Sequence, residues 1–208
     1  ARDSPRDYEA HLRAVVALRA EMLFDELRDA REAFSAAFPL TPELWKEWIH
    51  DEGVARGDGK AAALALSVLY ERACGDYFSA DVWAARIAHL VKAHEAGWVE
   101  AAAVRNMFEQ ACQVAGRAIQ TGADVWAAYR KFEEVTDCEQ STYEFIAFVE
   151  RQLAIPMVGS EQVMEELERH AAAEQSSTGK PPAYLHRVRK LHAEALSRRY
   201  AREQYETM

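Results

Sequence analysis

Three sets of side chains in this sequence have types and spacings that could do chemistry. Cys74 and Cys112 sit in matching surroundings, Tyr70-Glu71-Arg72-Ala73-Cys74 and Phe108-Glu109-Gln110-Ala111-Cys112, and two such thiols could form a nucleophile or redox pair. A third cysteine, Cys138, stands among polar residues with nothing nearby to activate it. Glu71, Glu109, Glu133 and Glu150 could serve as paired carboxylates for acid–base work. The histidines are dispersed. His89 and His94 are five apart and His186 and His192 six apart, and neither spacing sets both rings on one helical face, as a metal site would need. The chain has no Gly-x-Gly-x-x-Gly, phosphate-cradling loop, His-Glu-x-x-His or Gly-x-Ser-x-Gly.

The elements that carry these residues repeat. Leu44-Trp45-Lys46-Glu47-Trp48, Val82-Trp83-Ala84-Ala85 and Val125-Trp126-Ala127-Ala128-Tyr129 are similar, with tryptophans 38 and 43 residues apart. The second motif, seen at Glu71 and Glu109, returns as Phe148-Val149-Glu150-Arg151-Gln152-Leu153, with glutamates 38 and 41 apart. Two interleaved motifs with one period near 40 mark a helical repeat. That period bears on the chemistry. A catalytic carboxylate is needed once, whereas these recur, which favours bonding between adjacent helices over acid–base work. The cysteine slot is filled by Leu153 in the next copy, which favours a small buried packing position.

Each unit reads as two helices. Helix A carries aromatics on one face (Trp45 and Trp48; Trp126, Tyr129 and Phe132), and helix B carries apolar positions at the same spacing. Abundant alanine, with only nine glycines and six prolines gathered between the periodic stretches, is the composition of an all-α protein. The expected hairpins are 7–20 with 22–37, 42–55 with 60–77, 80–96 with 99–116, 122–137 with 140–155, and 160–175 with 183–206. They make one array over 1–208, with units near 7–37, 42–77, 80–116, 122–155 and 160–206. Asp81 and Asp124 stand at helix-A starts, where a carboxylate meets free N–H groups and the positive end of the dipole. The polar run Gln175 to Pro182 is the expected mobile loop. One hairpin cannot bury both its faces, so stacked neighbours must share a continuous core.

A net charge of −9 opposes strong non-specific binding of nucleic acid through the whole surface. Three cysteines without metal-type spacing suit a reducing compartment, cytosol or nucleus. No apolar run approaches the roughly 20 residues that cross a bilayer, and no signal-peptide pattern opens the chain. The chain begins with Ala1, as a piece of a longer protein would. Its last helix is locally basic, with Arg187, Arg189, Lys190, Arg198, Arg199 and Arg202 against Glu194, Glu203 and Glu206. Three roles stay open for it: a solvated face, a dock for an acidic partner or RNA phosphate, or the surface that joined a following repeat.

The pattern Trp-x-x-aromatic-x-x-[Phe/Asp]-Glu, followed by [Tyr/Phe]-Glu-x-Ala on the next helix, resembles the HAT (half-a-TPR) repeat. Trp126, Tyr129, Phe132 and Glu133 match it in the fourth unit, and Trp45, Trp48, Glu52, Tyr70, Glu71, Arg72 and Ala73 in the second. The third keeps Trp83, Phe108 and Glu109 but has Arg86 where an aromatic is expected. The string from Phe38 to Glu52, and Arg151 to Pro156 after Glu150, are similar to the N-terminal part of the HAT domain in the U4/U6 small nuclear ribonucleoprotein recycling factor family. The resemblance implies an all-α, right-handed α-α superhelix of about five TPR-like hairpins, helix B concave and helix A convex, in a nuclear protein. It implies a non-enzymatic protein–protein interaction scaffold in pre-mRNA splicing, without cofactor or metal, that supports U4/U6 reassembly. Its partners would be ribonucleoprotein components and ubiquitin-specific proteases, and no membrane. RNA contacts would belong to RNA-recognition motifs outside this segment, and homodimer contacts to later repeats. A HAT domain of another RNA-processing factor and a TPR-like peptide-binding adaptor are the rival readings.

Overall fold

The computed structural model describes the backbone of residues 7–136 and 142–206, and side chains over 7–136 and 144–202. Cys138 lies outside the described residues, as do the side chains of Glu203 and Glu206. The described residues form ten α-helices and no strand: α1 Tyr8–Ala20, α2 Phe24–Ala37, α3 Pro42–Arg56, α4 Lys60–Asp76, α5 Ala80–Glu95, α6 Ala101–Val114, α7 Gly122–Thr136, α8 Thr142–Leu153, α9 Ser160–Thr178 and α10 Ala183–Glu206. A single 3-10 turn, Ala115–Arg117, follows α6.

Local chemistry sets the ends. Asp7 caps α1 by accepting from the Ala10 N–H at 3.1 Å. Thr41 caps α3, where Pro42 at the first helical position lacks an N–H that would go unbonded anyway. At α5 the cap is Ser79, not Asp81; Asp81 and Asp124 lie in the first turns of α5 and α7, where their charge meets the dipole. The first half of the run expected as a mobile loop, Gln175 to Thr178, is helix. The Ser177 and Thr178 hydroxyls donate to the Glu174 carbonyl and Ser176 to that of Ala172, so these polar residues satisfy themselves inside α9. Gly179, at φ 74°, ends the helix in a conformation that residues with a Cβ rarely adopt.

The chain falls into two compact units, residues 1–100 and 101–208. In unit 1, α1 packs on α2, α3 on α4, and α4 on α5. Ion pairs tie alternate helices. Arg19 of α1 reaches Glu47 and Asp51 of α3, Lys46 of α3 meets Asp81 of α5, and Arg72 of α4 meets Glu32 of α2. The core gathers Val15, Leu27, Phe34, Leu69 and Ala73 around Trp45 and Trp48, whose rings stack in parallel at 5.0 Å. In unit 2, α6 packs on α7, and α8, α9 and α10 pack on one another. Phe108 stacks on Tyr129 at 4.7 Å, and Trp126 and Tyr129 both meet Phe148 edge-on. Val149, Leu153, Val163, Met164, Leu167 and Val188 fill its other end.

Candidate functional site

Three of the four recurring glutamates, Glu109, Glu133 and Glu150, are acceptors between helices. Glu109 of α6 receives a two-pronged hydrogen bond from Arg151 of α8, at 3.0 and 2.6 Å, and a third from the Tyr129 hydroxyl at 3.2 Å. Glu150 of α8 receives the same fork from Arg187 of α10, at 2.6 and 2.7 Å. In unit 1 the matching rung joins Glu32 to Arg72, 2.9 Å on each prong. The planar guanidinium suits this geometry, since its parallel N–H groups match both carboxylate oxygens. Two of these arginines also cover tryptophans. Arg72 lies 5.2 and 5.0 Å from the Trp45 and Trp48 rings, and Arg151 5.5 Å from Trp126. Each such arginine thus joins the aromatic of its own repeat to the glutamate of the one before. Glu71 is exposed on α4.

A second set joins helix A to the preceding helix B. Glu52, 5% exposed, accepts from Arg28 and Arg56, each at 2.6 Å. Glu133 accepts three bonds of 2.9–3.0 Å from Arg105. In the third unit the same slot holds Leu90, which is buried, so no carboxylate needs an arginine there. Arg86, in place of the expected aromatic, is also buried and lies 5.2 Å from the Trp83 ring. Pro156 lies three residues past the end of α8.

These placements decide the titration behaviour. Burial alone would raise the Glu52 carboxyl, but the bonds from Arg28 and Arg56 outweigh it and hold it below the usual carboxylate range. The Arg151 fork holds the Glu109 carboxyl low in spite of partial burial. Carboxylates kept ionised by a forked arginine are poor proton carriers at neutral pH. Burial, with Glu109 nearby, pushes the Cys112 thiol up to about 12, and burial raises Cys74 as well. Both thiols stay protonated and unreactive. Burial raises the Tyr129 and Tyr70 hydroxyls too. Among the described residues no group of three or more His, Cys, Asp or Glu is placed to hold a metal ion. No helix among them is long and apolar enough to cross a membrane.

The basic residues of α10 are largely engaged with the chain itself. Arg187 binds Glu150, Arg189 binds Glu168 at 2.8 Å, and Arg198 donates to the Ala154 carbonyl. Arg199 is 7% exposed and binds Glu161 and the Met157 carbonyl. Lys190 and Arg202 are exposed. Beside them His192 is buried against the Ser160 hydroxyl at 3.0 Å, and burial lowers its proton affinity.

Several positions make contacts that their sequence surroundings do not announce. Asp76 accepts from the Trp45 indole at 2.8 Å and from the Leu40 N–H at 2.7 Å, although Gly75-Asp76 reads as a helix breaker. Arg28 and Arg105, the partners of Glu52 and Glu133, belong to no motif in the sequence. The available signal was the arginine that follows the motif position at Arg72 and again at Arg151.

Paired helices that repeat an aromatic face covered by an arginine, with that arginine forked to a glutamate one repeat back, define a tandem helical-hairpin protein of the half-a-TPR kind. A family model described as the PRP39 N-terminal HAT repeat matches residues 1–169, and the chain belongs to that family. It is similar to proteins named spliceosome associated factor 3, U4/U6 recycling protein. Those from Mus musculus and Homo sapiens are 34% identical over 163 residues, 78% of this chain and 17% of theirs. The one from Danio rerio is 29% identical over 202 residues, 88% of this chain and 20% of its own. The chain therefore spans about a fifth of the length of the curated relatives it matches.

Proposed function

We propose that this chain is a nuclear protein–protein interaction scaffold in pre-mRNA splicing, serving the recycling of U4/U6 small nuclear ribonucleoprotein. The observation that carries this is the identity of 34% over 78% of the chain to proteins whose names state association with the spliceosome and U4/U6 recycling. The site chemistry supports it. The motif side chains are held in forks and ring contacts inside the array, and raised thiols with lowered carboxyls make a poor reaction centre. What the array offers is surface. Its partners on this reading are protein components of the ribonucleoprotein, with ubiquitin-specific proteases recruited through the wider HAT domain. RNA is left to RNA-recognition motifs in the longer protein, because the chain carries −9 and most of the α10 arginines already face carboxylates or carbonyls of their own chain.

The test is an affinity pull-down from nuclear extract with the tagged chain, read by mass spectrometry. The control is a Lys190→Glu/Arg202→Glu variant, which reverses charges that lie exposed. Recovery of U4/U6 ribonucleoprotein proteins by the wild type is the expected result, and their absence from the eluate would contradict the proposal. A second reading has one observation in its favour, the family model named for PRP39. It makes the chain the HAT domain of another RNA-processing factor, and a parent gene product without RNA-recognition motifs would favour it.

A further inference from the structure

Unit 1 carries a groove of about 420 Å³ between α3 and α5, floored by α4. Its walls are apolar: Ile49 and Val54 from α3, Leu66 and Tyr70 from α4, and Val82 from α5. The volume lies within the range of roughly 300–1,000 Å³ typical of ligand sites. Val54, at the edge, is 58% exposed, an apolar side chain left in water beside an apolar hollow.

The helix α3 is itself cut back to make room. Gly53 lines the groove from inside α3. A glycine inside a helix costs about 0.5–1 kcal/mol relative to alanine. Neither usual reason for accepting that cost applies. Gly53 has no positive φ, and a Cβ built on it would meet only the Leu66 side chain, at an ordinary 3.8 Å. The fold therefore does not demand glycine there. A group lying against the bare backbone would.

The electrostatics select the group. The titratable residues lining the groove are Lys46, His50 and Tyr70, with no carboxylate among them. Lys46, His50 and Gly53 recur at helical spacing and share one face of α3. The Lys46 ammonium meets Asp81 at 3.1 Å, with both side chains well exposed, and such pairs are weak enough for an incoming carboxylate to displace.

We propose that this groove docks a short peptide segment of a protein partner, with a bulky apolar side chain seated over Gly53 and an adjacent Asp or Glu on Lys46 and His50. The proposal gives a partner chemistry to the scaffold role above and rests on it.

Selection of short synthetic peptides on the purified full chain tests this without nuclear components, so it fails or succeeds independently of the pull-down. Three pools share a central Leu, Phe or Trp and differ in flanks of Asp/Glu, Lys/Arg or Ser/Gly; a labelled single-stranded RNA is the fourth probe. The acidic pool should enrich. The enriched peptide should bind Gly53→Leu about tenfold more weakly, because the new side chain fills the anchor's place. Lys46→Glu should weaken it about threefold, as reversal of a rim charge does. Gly53→Ala should melt no lower than the wild type. If Gly53→Leu does not fold, Lys46→Glu and Gly53→Ala decide the matter. Enrichment of the basic or neutral pool, RNA bound with loss on Lys46→Glu, no enrichment at all, binding indifferent to these changes, or a destabilised Gly53→Ala would each overturn the proposal.

Discussion

Trp45 in unit 1 and Trp126 in unit 2 hold the same place in their repeats, and each buries an indole N–H that needs an acceptor. Unit 1 provides a carboxylate. Asp76, the last residue of α4, reaches across to take the indole at 2.8 Å and the Leu40 N–H besides. Unit 2 provides a bare backbone carbonyl, that of Gly116 in the 3-10 turn after α6, at 3.1 Å. A side chain can span a gap, whereas a backbone must itself come close. Space around Trp126 is correspondingly tight. A Cβ on Gly116 would fall 2.9 Å from the indole nitrogen, and one on Gly122 would fall 2.7 Å from the Gly116 oxygen. One motif thus has two solutions: unit 1 depends on a particular side chain being present, and unit 2 on two side chains being absent.

Five substitutions sharpen or break that contrast, and a sixth serves as a rescue. Trp126→Ala and Trp45→Ala should be the most damaging, each costing about 3–5 kcal/mol in urea unfolding, because each empties a filled core position. Next comes Gly122→Ala, which forces a methyl onto a backbone oxygen and should cost about 1–3 kcal/mol or more. In unit 1 a Cβ on Gly75, the neighbour of Asp76, meets nothing within 4 Å, and Gly75→Ala should stabilise by about 0.5–1 kcal/mol. Equal responses of the two glycines would remove the contrast. Asp76→Ala leaves two N–H groups without their acceptor and should cost about 1–3 kcal/mol, with Asp76→Asn recovering part.

The smallest effect is one of pH. The folded-state pKa of His192 is depressed by burial, so its contribution is complete above the unfolded value of about 6.5 and is lost as pH falls from there towards the folded value. The depressed carboxyls, Glu52 in unit 1 and Glu109 in unit 2, act lower. Their contributions are complete above an unfolded value of about 4.3 and fade below it. Unit 2 should therefore soften as pH falls below the unfolded histidine value of about 6.5, and His192→Gln should abolish that slope. A slope unchanged in the variant would remove His192 from the account.

The helices were legible because aromatic spacing, alanine content and glycine placement all point the same way. The helix expected over 42–55 is Pro42–Arg56, and that over 60–77 is Lys60–Asp76. Where the polar composition of Gln175 to Thr178 spoke for a loop, hydroxyl bonding back to carbonyls prevailed. The partners of the motif residues were much less legible. Glu32 and Arg72 are 40 residues apart, and each alone reads as an ordinary surface charge. Arg199 reads from sequence as part of a free basic face, yet it is buried on Glu161 and the Met157 carbonyl. Periodicity reveals which positions matter to the repeat. It does not reveal that the acceptor lies one repeat back, because that depends on how successive hairpins stack.

The central claim is that stability here is local, passed between neighbouring helices through buried rings and forked arginines. Hydrogen–deuterium exchange by mass spectrometry on Trp126→Ala tests it most directly. Exchange should rise first in α7, which carries the lost ring, and in α8 and the 3-10 turn after α6, which meet it through Phe148, Arg151 and the Gly116 carbonyl, while α1 to α3 keep wild-type protection. A uniform rise from α1 to α10 would contradict the claim.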